Sequence, residues 1–289
     1  MKTAVIPTRN DNYGLFLAER SIQCINSMTS VFDEVILVDW NSPHDLPLFS
    51  QIKEHLIPTK KIRSIVVPKV FVQSHFPDPN IQPCCEVLAR NIGIRRAKHD
   101  WIVSTNIDVI PSQFDEGTLD PSTLYAVAKY NVPDQVHLTQ LICLKDEHKI
   151  QVLKENKHNM ERMKRCYAYR DYYGNDVPWE RFSICVGTGD FQVGHRNVWS
   201  SIRGFEEKML YRCYSDGNVM VKAANFDGLK TSELDIDVFH LDHKNNPYFW
   251  KKDQSTHRNN IEDAFVKYKT TQNTEDWGLS SVEFEEEIY

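Results

Sequence analysis

Two stretches in the first hundred or so residues leave few folds open. Glu34–Asp39 reads Glu-Val-Ile-Leu-Val-Asp, and Trp101–Thr105 reads Trp-Ile-Val-Ser-Thr. Each is a short run rich in β-branched residues, without the polar alternation of a half-exposed strand, and such runs suit a sheet covered on both faces. Thr3–Pro7, Ile62–Val67 and Val70–Val72 read as further strands. Helical patterns lie between them: Leu15–Met28, with Leu15, Ala18, Ile22 and Ile25 on one side, then Leu46–Leu56 and Val87–Lys98. This alternation predicts an α/β fold with a mainly parallel central sheet flanked by helices.

Beyond residue 111 the pattern changes. Leu124–Tyr130, Val136–Leu144 and Ile236–Leu241 read as strands, and Asp216–Ala224 and Ile261–Tyr268 as helices. Asp146–Cys166 is polar with a thin apolar stripe, as in a surface helix or lid, and Tyr167–Trp179 is aromatic and loop-like. No repeat or low-complexity linker interrupts the 289 residues, which are expected to form one domain with insertions.

Composition narrows the function. The net charge of −6 excludes a general nucleic-acid binder, which needs a basic footprint. Six acids between residues 275 and 289, with no Lys or Arg among them, account for that whole excess, so the body is formally neutral and the tail reads as a solvated end or docking strip. No run approaches the ~20 apolar residues of a membrane span. The apolar part of Met1–Arg9 is too short for a secretory signal. Seven cysteines, odd in number and without a Cys-x-x-Cys pair, argue against a disulfide framework and for a reducing, cytoplasmic setting.

Open α/β sheets bind ligands beyond the carboxyl ends of their strands. The tips here are Pro7-Thr8-Arg9-Asn10, Asp39-Trp40-Asn41-Ser42 and Asn106-Ile107-Asp108. Neither Gly-x-Gly-x-x-Gly nor the P-loop pattern occurs, so a phosphate would have to be held by cations or a metal. Asp39 can accept hydrogen bonds from a base or ribose, or simply form the turn before Asn41-Ser42-Pro43. Asn106 and Asp108 share a face and suit Mg²⁺ or Mn²⁺ on a diphosphate, or end a strand in an ordinary turn. Arg90 is the upstream cation best placed for a diphosphate.

Taken in order, these motifs resemble the nucleotide-sugar glycosyltransferases of the A-type fold, especially the large inverting family that builds polysaccharides. Val5-Ile-Pro-Thr-Arg-Asn10 is similar to the family's opening strand, and Val38-Asp-Trp-Asn-Ser42 stands where it has Val-Asp-Asp-Gly-Ser. Ala89-Arg-Asn-Ile-Gly93 leads towards Asn106-Ile107-Asp108 at the Asp-x-Asp position; Gly204-Phe-Glu-Glu207, Ser215-Asp216 and His240-Leu-Asp-His243 follow. Two departures stand out: Asn106 replaces the first Asp, and Ser215 replaces the Glu before the base. No match covers residues 145–180.

The resemblance implies a Rossmann-like A-type glycosyltransferase fold. Residues 1–110 would bind the donor, 111–255 would hold the acceptor and the catalytic base, and 256–289 would form a C-terminal helix and acidic tail. It implies a nucleotide-diphosphate sugar donor, UDP-linked by family frequency, and a glycan, glycolipid or glycoprotein acceptor. Pro7, Thr8, Arg9, Asp39, Arg90, Asn106, Ile107 and Asp108 would bind the donor. Asp108 with His240 or His243 would hold Mn²⁺ or Mg²⁺; the two histidines point to opposite faces if their strand continues, so one ligand is expected, with His243 favoured. Asp216 would be the general base, or alternatively a helix cap. Asp190 would hold a sugar hydroxyl of donor or acceptor, or be a loop residue of a Gly-rich turn; Trp179, Tyr172 and Tyr173 would stack on an acceptor sugar or, the favoured alternative, serve packing. A non-catalytic nucleotide-sugar or glycan-binding module is a rival reading, to which Asn106 lends footing. A sugar nucleotidylyltransferase is another, weakened by the missing glycine-rich signature. A glycoside hydrolase has no specific support.

Overall fold

A computed structural model describes residues 1–132, 146–162, 189–211, 213–243, 259–260 and 262–289. The chain begins β1 (Lys2–Thr8), α1 (Leu17–Val31), β2 (Glu34–Trp40), α2 (Leu48–Ile52), β3 (Ile62–Val67), α3 (Lys69–His75), α4 (Glu86–Arg96) and β4 (Trp101–Thr105). It continues β5 (Val109–Pro111), β6 (Thr123–Ala126), β7 (Lys129–Val132), α5 (Asp146–Asn156), β8 (Glu161–Arg162), β9 (Phe191–His195) and α6 (Arg196–Ile202). The last elements are α7 (Ser215–Asn225), β10 (Lys230–Glu233), β11 (Val238–Leu241) and β12 (Glu285–Ile288).

Eight strands form the main sheet in the order β10-β6-β9-β4-β1-β2-β3-β12. Its centre is parallel: β1 pairs with β2 and β4, and β2 with β3. β9 and β12 join antiparallel, making the sheet mixed. Successive side chains feed opposite cores, as a two-faced strand requires. Ile36, Val38 and Trp40 enter one core with α4 and α7, while Val35 and Leu37 enter the other with α1 and α2. Gly93 lets α4 lie directly on β1, since a Cβ there would run into Val5. A second sheet, β5-β11-β7-β8, packs with α5 over Cys24, Ile110, Leu153 and Phe239.

Several expectations need correction. Val70–Val72 is not a strand but part of α3, started by Pro68 in extended geometry; Val70 faces water and Val72 is buried, a helical rather than a strand alternation. Leu124–Tyr130 is split between β6 and β7, which belong to different sheets. The expected helix at the C-terminal end is only a π-turn at Asp263–Lys267, and Ile261 lies outside the described residues. The polar helix ends at Asn156 instead of running to 166, residues 163–166 lying outside the described chain, as does Val136–Leu144. β9 and α6 carried no expectation at all.

The acidic tail is docked, not a solvated end. Trp277 is buried, Arg96 donates to the carbonyls of Gly278, Leu279 and Val282, and β12 pairs with β3. No described helix is long and apolar enough to cross a membrane.

Candidate functional site

The carboxyl ends of β1 and β4, the end of β11 and the loop after β1 surround a cleft of about 330 Å³. Pro7, Thr8, Arg9, Asn106, Ile107, Asp108, Asp190, His240 and His243 line it, so most of the residues expected at the site meet there.

Strand register brings three candidate ligand residues together. β5 runs antiparallel to β11 with Val109 opposite His240, and Leu241 N–H donates to the Asp108 carbonyl at 2.8 Å. Asp108 and His240 are therefore neighbours across a strand pair. β11 then stops at Leu241, and His243, two residues past the strand, lies on the same side as His240. His243 Nε2 lies 3.2 Å from Asp108 Oδ2, and His240 Nε2 lies 3.6 Å from Asp108 Oδ1. One ligand atom from each residue falls within 4.8 Å of the others. Both imidazoles converge because the strand does not continue, which was the premise for expecting one.

Burial pushes the Asp108 carboxyl up, but the charge and nearness of His240 and His243 outweigh this and hold it well below the usual range. Burial pulls His240 down, and Asp108 reverses that to a net rise. Asp108 Oδ1 and the Nδ1 atoms of both histidines are buried without a hydrogen-bond partner. The Tyr13 ring meets His243 edge-on at 4.9 Å, and Gly14, at φ +71°, lies so close that a Cβ would stand 2.5 Å from His243 Nδ1.

A polar chain runs beside this centre. Arg90 donates to Ser104 Oγ at 2.6 Å, to the Thr105 carbonyl at 3.1 Å and to Asn106 Oδ1. Asn106 Nδ2 donates in turn to Asp190 Oδ1, and Asp190 Oδ2 lies 2.6 Å from Lys129 Nζ. Arg90 is thus buried, committed to protein acceptors and absent from the cleft wall, so the structure gives it the task of orienting Asn106. Arg9 does line the cleft, braced by Asp11 at 2.5 Å and the Asn41 carbonyl at 3.0 Å.

Asp39 stands behind the wall. It is 1% exposed and its Oδ2 accepts from Leu48 N–H at 2.9 Å, which organises the start of α2. Burial raises its carboxyl to about 6 against the lowering pull of Ser42, Leu48, Thr8 and Arg9. Asp216 sits half-buried in the first turn of α7, pressed against Gly189 so tightly that a Cβ on Gly189 would collide with it. Loss of solvent raises its carboxyl and nearby Asp190 adds to the rise, opposed by Gly217 N–H and Arg90. Asp216 is not among the residues lining this cleft; it packs against Gly189, beside the cleft-lining Asp190. Trp179, Tyr172 and Tyr173 lie outside the described residues.

Tyr13, Gln82, Cys84 and Lys129 belong to the site or its support and were not expected. None sits in a motif, and only three-dimensional proximity reveals them.

No protein-family model matches the chain, and no curated protein matches it by sequence. Among solved structures it is similar to S. aureus TarS 1-349, at 13% identity and a TM-score of 0.46 over 83% of this chain; it spans 60% of the TarS chain. It is also similar to the catalytic domain of Drosophila beta1,4galactosyltransferase 7 in complex with xylobiose, at 10% identity and a TM-score of 0.44, covering 94% of this chain and 80% of that one. A third is described only as a mycobacterial protein, at 13% identity and a TM-score of 0.45, covering 100% and 83%. The solved structures it resembles thus include a galactosyltransferase. All three TM-scores fall below 0.5.

Proposed function

We propose that this chain is a metal-dependent glycosyltransferase, moving a sugar from a nucleotide-diphosphate sugar, UDP-linked, to a hydroxyl of a glycan, glycolipid or glycoprotein with inversion. The observation that carries this reading is the convergence of Asp108, His240 and His243 on the floor of a cleft at the strand tips of an α/β sheet. One carboxylate and two imidazoles suit Mn²⁺, and Asp108 Oδ1, buried without a hydrogen-bond partner, is an acceptor that a cation would satisfy. A bound cation would supply Lewis-acid charge to the leaving diphosphate.

Arg9, on the wall, adds positive charge toward that diphosphate. Thr8 and Asn106 supply polar contacts at the two strand tips, and Asp190, held by Lys129 and Asn106, faces the sugar. Asp216 accepts the acceptor hydroxyl's proton; its raised affinity for protons makes it a stronger base than an exposed aspartate. The seven cysteines without a framework pattern support a cytosol-like compartment.

The same donor set also serves non-haem iron, and a non-catalytic sugar-nucleotide binder would keep the cleft without the base. Release of free nucleotide from UDP-, GDP- and dTDP-sugars, followed with Mn²⁺ present or withheld, separates these. Slow, Mn²⁺-dependent release supports the transferase. Its absence with every donor, despite binding, leaves the binder.

A further inference from the structure

Metal-binding histidines ordinarily donate their second ring N–H to a carboxylate or carbonyl, which fixes the ring. His240 and His243 have no such partner at Nδ1. For His243 the restraint comes instead from packing against Tyr13 and Gly14. What holds those two residues in place therefore decides where His243 points.

Their loop is conformationally costly. Asn12, Leu15 and Phe16 all have φ between 51° and 64°, a region that side-chain-bearing residues rarely occupy, and Gly14 adds φ +71°. Leu15 and Phe16 gain little by burial, being 48% and 54% exposed. The loop's restraint is Arg20, on the first turns of α1 and 4% exposed. Its Nη2 donates to the Tyr13 carbonyl at 2.7 Å, and its Nη1 to Gly14 at 3.1 Å and to Leu15. Three successive carbonyls are gathered on one guanidinium. Arg20 forms no ion pair with a carboxylate among the described residues, so these carbonyls are its compensation.

We infer that Arg20 is a positioning residue of the metal centre: it fixes the Tyr13–Gly14 loop as a rigid backstop that presses the His243 imidazole towards Asp108. This rests on the metal reading above. A planar fork with several donors is needed to collect three carbonyls, and lysine cannot reproduce it.

The test is a Mn²⁺ titration followed by the electron paramagnetic resonance signal of free Mn²⁺, with melting curves taken without metal. Wild type, Arg20→Lys and Arg20→Gln are compared, with Gly14→Ala acting on the same contact from the His243 side. Both Arg20 variants and Gly14→Ala are expected to bind Mn²⁺ about 10–100-fold more weakly, the usual effect of removing a ligand's outer support, at temperatures where each remains folded. A folded Arg20 variant with wild-type Mn²⁺ affinity overturns the inference while leaving the metal centre standing. A wild-type chain that takes up no Mn²⁺ overturns the metal centre itself, and Arg20's role with it.

Discussion

Lys129 Nζ lies 2.6 Å from Asp190 Oδ2, with the two side chains only 9% and 15% exposed. Breaking a buried pair from one side strands a charge, at a cost of about 3–5 kcal/mol. Lys129→Met is expected to lower stability by about that amount, read as a fall in the urea midpoint. Adding Asp190→Leu should recover part of the loss, because the stranded charge goes too. A single variant as stable as wild type would show that the pair does not hold the site.

The proposed metal centre predicts a three-way dependence. Mn²⁺ at 100 times its Kd should stabilise the wild-type chain by about 2.7 kcal/mol. Asp108→Ala, His240→Ala and His243→Ala should each sharply reduce that shift. Full retention in either histidine variant would make the centre a two-ligand site.

Gly189 has no room for a methyl group, because Asp216 occupies it. Gly189→Ala should cost about 1–3 kcal/mol by overpacking and displace the carboxylate. Transfer should therefore fall further than a wild-type chain's would on equal destabilisation by urea. Asp216→Asn should abolish transfer while nucleotide-sugar binding stays intact; near-normal turnover would remove Asp216 from the role of base.

Asp39 makes stability depend on pH in a direction opposite to that of an ion-paired aspartate. Its carboxyl is raised from the ordinary 3.8 to about 6. Between those values the folded chain keeps a proton that the unfolded chain has released. Stability contributed by this group therefore falls as pH rises from about 4 to 6 and levels off above. A two-unit shift corresponds to about 3 kcal/mol. Asp39→Asn should flatten this part of the profile in urea titrations; an unchanged slope would assign it to other groups.

The parallel centre of the sheet and the strand-tip residues were legible because buried strands carry their signal in a few adjacent residues. Glu34–Asp39 and Trp101–Thr105 have no other comfortable conformation. Asp108 could be singled out by its place just past such a run. Convergence of His240 with His243 was not legible, because it depends on β11 ending at Leu241, a boundary that the residue pattern does not mark. Arg90 looked like a ligand cation and proved internal, since sequence shows a charge but not its acceptors. β9 escaped notice because Phe191-Gln-Val-Gly-His195 mixes polar and small residues, yet both of its sheet neighbours cover it.

β12 closes one end of the main sheet and presents Glu285, Glu286 and Glu287 along an exposed edge. Two molecules approaching edge to edge would bring those carboxylates together, so the strip acts as a guard against sheet extension between copies. Its protection is electrostatic and therefore fades with salt. Concentrated protein should resist self-association best in dilute buffer and lose that resistance as salt is added.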